Sequence, residues 1–143
     1  VWDFLISLLH TFSGRIFPRR AVSFALVGST GVFIQLLTIY FLLAVTNFDF
    51  AKVLTVGVII AASSNFIINN ILTFRSNKLL VKSFYTGLLK FLLVSSLPII
   101  ANVGVTNLFY SKFSTNTFFS QLVGIFVVFI WNYAASSKVV WNN

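Results

Sequence analysis

Apolar residues gather in four long stretches, at about 22–45, 53–74, 84–110 and 118–140. Each is long enough to cross a bilayer, which takes about 20 residues in a helix. The third can give up its first turn to the interface, where Lys90 can snorkel toward water. Short polar links join the first pair (46–49) and the second pair (111–117), so each pair predicts a helical hairpin. Between the hairpins stand Arg75, Ser76, Asn77 and Lys78, followed by Lys82.

Residues 1–17 carry a different pattern. Trp2, Leu5, Leu8, Leu9, Phe12 and Ile16 recur at helical spacing, with Asp3, Ser7, His10 and Ser13 mostly between them. The segment is too short and too interrupted to span, and it predicts an amphipathic helix lying in the interface. Gly14 and Pro18 break the path before the first long stretch. The expected fold is therefore an all-α membrane protein. Four transmembrane helices form two hairpins behind a juxtamembrane segment (residues 1–20), and the membrane domain covers residues 21–143.

Charge supports this reading. Only 8% of residues are charged, against about 25% in a soluble domain, which needs them to cover its surface. Ten bases face two acids, Asp3 and Asp49. In a soluble chain such an excess would suggest nucleic acid, but these bases flank apolar runs, so anionic membrane lipids are the expected partner and nucleic acid is not. Arg15, Arg19, Arg20, Arg75, Lys78, Lys82, Lys90 and Lys138 fall on one side of the four stretches, and Lys52 and Lys112 on the other. The excess of bases marks the cytoplasmic side, so both termini are expected there. The chain begins with Val1 and contains no Met or Cys. It is expected to be a processed chain or a piece of a longer one, and disulfides are excluded.

The two hairpins also align when the chain is shifted by 67 residues, with repeat units at about 23–75 and 90–142. Phe24 falls on Phe91, Gln35 on Asn102, Gly57 on Gly124, Asn65 on Asn132, Asn69 on Ser136 and Phe74 on Trp141. The amide matches count most, because amides inside a membrane are scarce. Duplication is the preferred reading.

Candidate chemistry is sparse. Asn65 and Asn69 are four residues apart and share one helix face, as do Asn132 and Ser136. Two readings stand: a polar surface that receives a lipid headgroup, or interhelical hydrogen bonds that glue the bundle. Arg19, Arg20, Arg75, Lys78 and Lys82 form a basic rim that either captures a lipid phosphate, where guanidinium binds bidentately, or only fixes topology. Arg75, directly after the end of the second span, is the best candidate for a phosphate contact. Gln35 and Asn102 sit at mid-span, with packing bonds as their default role. His10 is the only histidine and reads as a surface residue, and the chain offers too few donors for a metal site. No span holds an Asp or Glu, which argues against a proton-coupled carrier. Two carboxylates are too few for sugar transfer from a nucleotide donor. No catalytic residue and no cofactor is expected on this chain.

The run Phe24-Ala25-Leu26-Val27-Gly28 with Gly31, then Ser64-Asn65-Phe66 with Asn69-Asn70 and Thr73-Phe74-Arg75, resembles the GtrA-like family. The second half, with Gly87-Leu88-Leu89, Phe91, Asn102-Val103-Gly104 and Trp131-Asn132-Tyr133, is similar to the membrane domain of fused polyprenyl-phosphate (dolichyl-phosphate) mannose synthases. The likeness covers about residues 19–142. It departs at Pro98, where a Gly often stands, and at Ser136-Ser137, which replace a second pair of amides.

The resemblance implies a role with polyprenyl-phosphate-linked sugars in assembling cell-surface polysaccharide or glycolipid. The chain would anchor a fused or separate cytoplasmic glycosyltransferase and position its lipid acceptor, in a bacterial or archaeal cytoplasmic membrane. The alternative is a stand-alone protein that helps flip the sugar-bearing lipid across the bilayer. A homo-oligomer is compatible with either. The family's polar helix ends map onto Asn65, Asn69, Asn70, Arg75 and Asn132, and Arg19 and Arg20 join them as candidate lipid-phosphate ligands.

Overall fold

The computed structural model describes the backbone of residues 1–113 and 117–142, and the side chains of 1–49, 52–97, 112 and 123–142. Every regular element among them is helical: α1 (Trp2–Phe12), α2 (Arg19–Val45), α3 (Phe50–Ile68), α4 (Val81–Phe113) and α5 (Thr117–Val139). A π-helical turn (Asn69–Thr73) continues α3, and a short 3-10 turn (Arg75–Asn77) follows it. The side chains of Asn102 and Pro98, and most of the link between the last two apolar stretches, lie outside the described residues.

The chain divides into two compact units, Val1–Leu80 and Val81–Asn143. Within the first, α2 packs on α3 and α1 on α2; within the second, α4 packs on α5. Among the described residues, two helical stretches are long and apolar enough to cross a membrane, Arg19–Val45 and Lys52–Thr73. The described apolar part of α5, Val123–Val139, is shorter.

Large apolar side chains point outward along α2, among them Phe33, Leu37, Tyr40 and Phe41, each more than half exposed. In water such a face would be strongly unfavourable, and in lipid it is at home. The inward side is tight, with Val27, Val53 and Phe66 wholly buried. Small residues set the approach of α2 to α3. A methyl group on Gly31 would stand 2.8 Å from Asn65 Cγ, and one on Gly57 would stand 3.0 Å from Ile39 Cγ1. At the far end, Lys52 lies 2.8 Å from Asp49, and that hydrogen bond holds the Asp49 carboxyl below its ordinary range.

The break after α1 is where Gly14 predicts it. Gly14 (φ 64°) and Arg15 (φ 59°) are both left-handed, which glycine tolerates and most side chains resist. The apolar stripe of α1 lies mostly outward, as on an interfacial helix. Ile6 is the buried residue, at 5% exposure, while Leu5, Leu8, Leu9, Phe12 and Ile16 face outward. Apart from Trp2, the apolar stripe read from the sequence is the side left for lipid. A second, narrower side carrying Trp2 and Ile6 meets the protein.

Positions 67 residues apart share geometry in the two units. Phe24 meets Phe74 edge to face at 6.3 Å, and Phe91 meets Trp141 edge to face at 5.7 Å. The Phe74 N–H donates to the Asn69 carbonyl, and the Trp141 N–H donates to the Ser136 carbonyl, both across five residues. Asn65 and Asn132 each bury a side-chain oxygen without a partner, and so do Asn69 and Ser136. These correspondences recur within each unit at the 67-residue spacing read from the sequence.

Candidate functional site

The N-terminal end of α2 is an unusual place for two arginines. The first turn of a helix presents unpaired N–H groups and a partial positive charge, so cations there are unfavourable. Yet α2 opens with Arg19 and Arg20 behind Pro18, without a side-chain cap and without an acid in its first turn. An arrangement that gathers positive charge in this way suits an anion.

The π turn brings a third arginine to the same place. One extra residue per turn rotates everything downstream by about 100° relative to a regular helix. At the end of that turn, Thr73 Oγ1 lies 2.7 Å from Ser23 Oγ on α2. The next residues, Arg75 and Ser76, stand beside Arg19 and Arg20. Arg20 Nη2 donates to Ser76 Oγ at 2.7 Å.

Helix α1 closes the remaining side. Trp2 Nε1 donates to Ser23 Oγ at 3.2 Å, and Asp3 Oδ2 accepts from Arg75 Nη1 at 3.1 Å. The result is a half-open cavity of about 250 Å³ lined by Trp2, Asp3, Ile6, Arg19, Arg20, Ser23, Leu72, Thr73, Arg75 and Ser76. Its floor is hydroxyl: Ser23 and Thr73 are 4% and 5% exposed. Its rim is guanidinium. Such a cavity can bind an oxyanion through charge and bidentate hydrogen bonds. Among the described residues, no three His, Cys, Asp or Glu side chains come together as a metal site would require.

The candidate residues read from the sequence separate into two groups. Arg19, Arg20 and Arg75 share the cavity. Asn65, Asn69 and Asn70 do not line it. Asn65 packs against Gly31 at the α2–α3 crossing. Asn69 is 1% exposed with its Oδ1 unpartnered. Asn70 brackets the backbone of Leu79: its Nδ2 donates to the Leu79 carbonyl at 3.1 Å, and the Leu79 N–H donates to its Oδ1 at 2.8 Å. That pair of bonds folds the chain end of the first unit back onto the π turn. Asn132, in the second unit, buries an Oδ1 without a partner.

Sequence reasoning missed Trp2, Asp3, Ser23 and Thr73 as members of the site. One signal was present: Asp3 is one of only two acids in a chain with ten bases.

A comparison with curated proteins gives no match. A family model described as the GtrA/DPMS transmembrane domain matches residues 23–141. Five of the cavity residues, Trp2, Asp3, Ile6, Arg19 and Arg20, precede that stretch. The match spans most of the chain, and the protein belongs to the GtrA/DPMS family of transmembrane domains.

Proposed function

We propose that this domain is a non-catalytic membrane module in polyprenyl-phosphate-linked sugar synthesis. It anchors a cytoplasmic glycosyltransferase and holds the phosphate of that enzyme's lipid acceptor in the arginine cavity. The observation that carries the proposal is the meeting of Arg19, Arg20 and Arg75 over a hydroxyl floor at one end of the α2–α3 pair. The lipid tail would lie along the outward apolar face of α2. The excess of bases makes that end cytoplasmic, the side from which a glycosyltransferase would present its donor sugar.

Holding the lipid is preferred to flipping it on one ground. Residues 22–45 and 53–74 contain no ionisable side chain other than Tyr40. A phosphate crossing along this pair would leave its guanidinium partners and find no charge to replace them.

Binding of polyprenyl monophosphate to the chain in nanodiscs tests the proposal. Arg20→Ala and Arg75→Ala are each expected to weaken binding about tenfold, in line with the loss of one charge-assisted hydrogen bond. The helical content of each variant separates loss of fold from loss of ligand contact. Unchanged affinity in both arginine variants, with the helical content intact, would falsify the cavity as the phosphate site.

A further inference from the structure

We infer that Asp3 tunes the charge selectivity of the arginine cavity, shifting its preference away from a diphosphate and toward a phosphate monoester. The inference rests on the reading of the cavity as a lipid-phosphate site.

The cavity's ionised side chains are Arg19, Arg20, Arg75 and Asp3. Three guanidinium groups against one carboxylate leave two positive charges. A phosphate monoester carries about −1.5 to −2 at neutral pH, so it matches that balance. A diphosphate carries more and a phosphodiester less. Without Asp3 the electrostatic advantage of the more highly charged diphosphate would be larger.

Geometry keeps the carboxylate in place. The Trp2 indole is held by Ser23 and Ile6 is buried, so the residue between them stays at the cavity rim. The Asp3–Arg75 pair is open to solvent, with side chains 73% and 65% exposed. A pair so exposed is weak, and an incoming phosphate can take Arg75 from it while α1 remains docked. Asp3 then stands beside the ligand as a like charge. Its repulsion grows in proportion to the charge on the ligand, which is what makes it selective. A carboxylate that merely occupied Arg75 would instead weaken all phosphates to the same degree.

The test uses the 143-residue chain in phosphatidylcholine nanodiscs and three lipids of one polyprenyl length: a sugar phosphodiester, the monophosphate and the diphosphate. Asp3→Asn is expected to tighten them by about twofold, fourfold and eightfold respectively, the gain multiplying with each ligand charge. Asp3→Glu is expected to retain the wild-type order. Asp3→Ser is read in parallel, so that the folding of one variant does not decide the outcome. Protection of the α1 amides from hydrogen exchange reports that the helix is still docked.

An equal gain for all three lipids, or a loss for any of them, overturns the inference while the cavity stands as a phosphate site. Absence of binding to all three lipids, in the wild type and the variants alike, overturns the lipid-phosphate reading together with it. Displacement of the monophosphate lipid by millimolar inorganic phosphate would show a site for free phosphate, and would overturn the assignment to a lipid headgroup.

Discussion

A methyl group added at Gly31 would overlap the Asn65 amide, whereas one at Gly28 would meet nothing within 4 Å. The two glycines stand one turn apart on the same helix and should respond in opposite ways. Gly31→Ala is expected to cost about 1–3 kcal/mol, because Asn65 has little room to yield. Gly28→Ala should be neutral or stabilise by up to about 1 kcal/mol, from helix propensity alone. Equilibrium unfolding in mixed micelles compares the pair, and equal effects would contradict the close crossing at Gly31. Periodicity identified Asn65 and Asn69 as polar groups on one helix face. It gave no means of telling that Asn65 lies on a glycine and that Asn70 reaches the Leu79 backbone. A helical pattern specifies direction around an axis, while a hydrogen-bond partner depends on the path of a neighbouring segment. The arginines were easier to read, since charge at the end of an apolar run has few places to go.

At the scale of elements, the helices follow the hydrophobic pattern closely, and the departures are local. The second apolar stretch leads one to expect a regular helix to residue 74, but the α-helical part ends at Ile68 and a π turn follows. No composition signal marks such a turn, because one inserted residue changes the hydrogen-bond register without changing hydrophobicity. The turn matters because it presents Thr73 to Ser23 and is fastened by Asn70. Asn70→Leu removes both bonds to Leu79 and strands a buried backbone N–H and carbonyl. That should destabilise the first unit by about 2–4 kcal/mol and speed protease cleavage at residues 75–80. Cleavage at the wild-type rate would show that the bracket carries little of the closure. Helix α1 illustrates a second limit. Its amphipathic character and outward apolar stripe were legible, whereas the narrower strip of Trp2, Asp3 and Ile6 that meets the protein was not.

The whole molecule reads from the sequence as apolar stretches and links with a 67-residue period, and the family match over residues 23–141 agrees with the membrane-domain part of that reading. The expected four-span layout makes a direct prediction, and the chain's lack of Cys makes it simple to check. Single cysteines at Asn47 and Lys112 should be labelled by an impermeant reagent added outside the cell. Those at Asn77 and Asn142 should react only after permeabilisation. Any other grouping of the four would revise the span count or the orientation. The Phe24–Phe74 and Phe91–Trp141 ring contacts recur 67 residues apart, each inside its own unit. The Asn70 bracket has a further consequence for how such a protein is made. Its bonds, the Ser23–Thr73 contact and the Asp3–Arg75 pair all lie within the first eighty residues. The ribosome therefore releases a hairpin that already contains the partners for its own closure. It can insert and settle while the second hairpin is still being synthesised, which shortens the time its buried amides spend exposed to the translocation machinery.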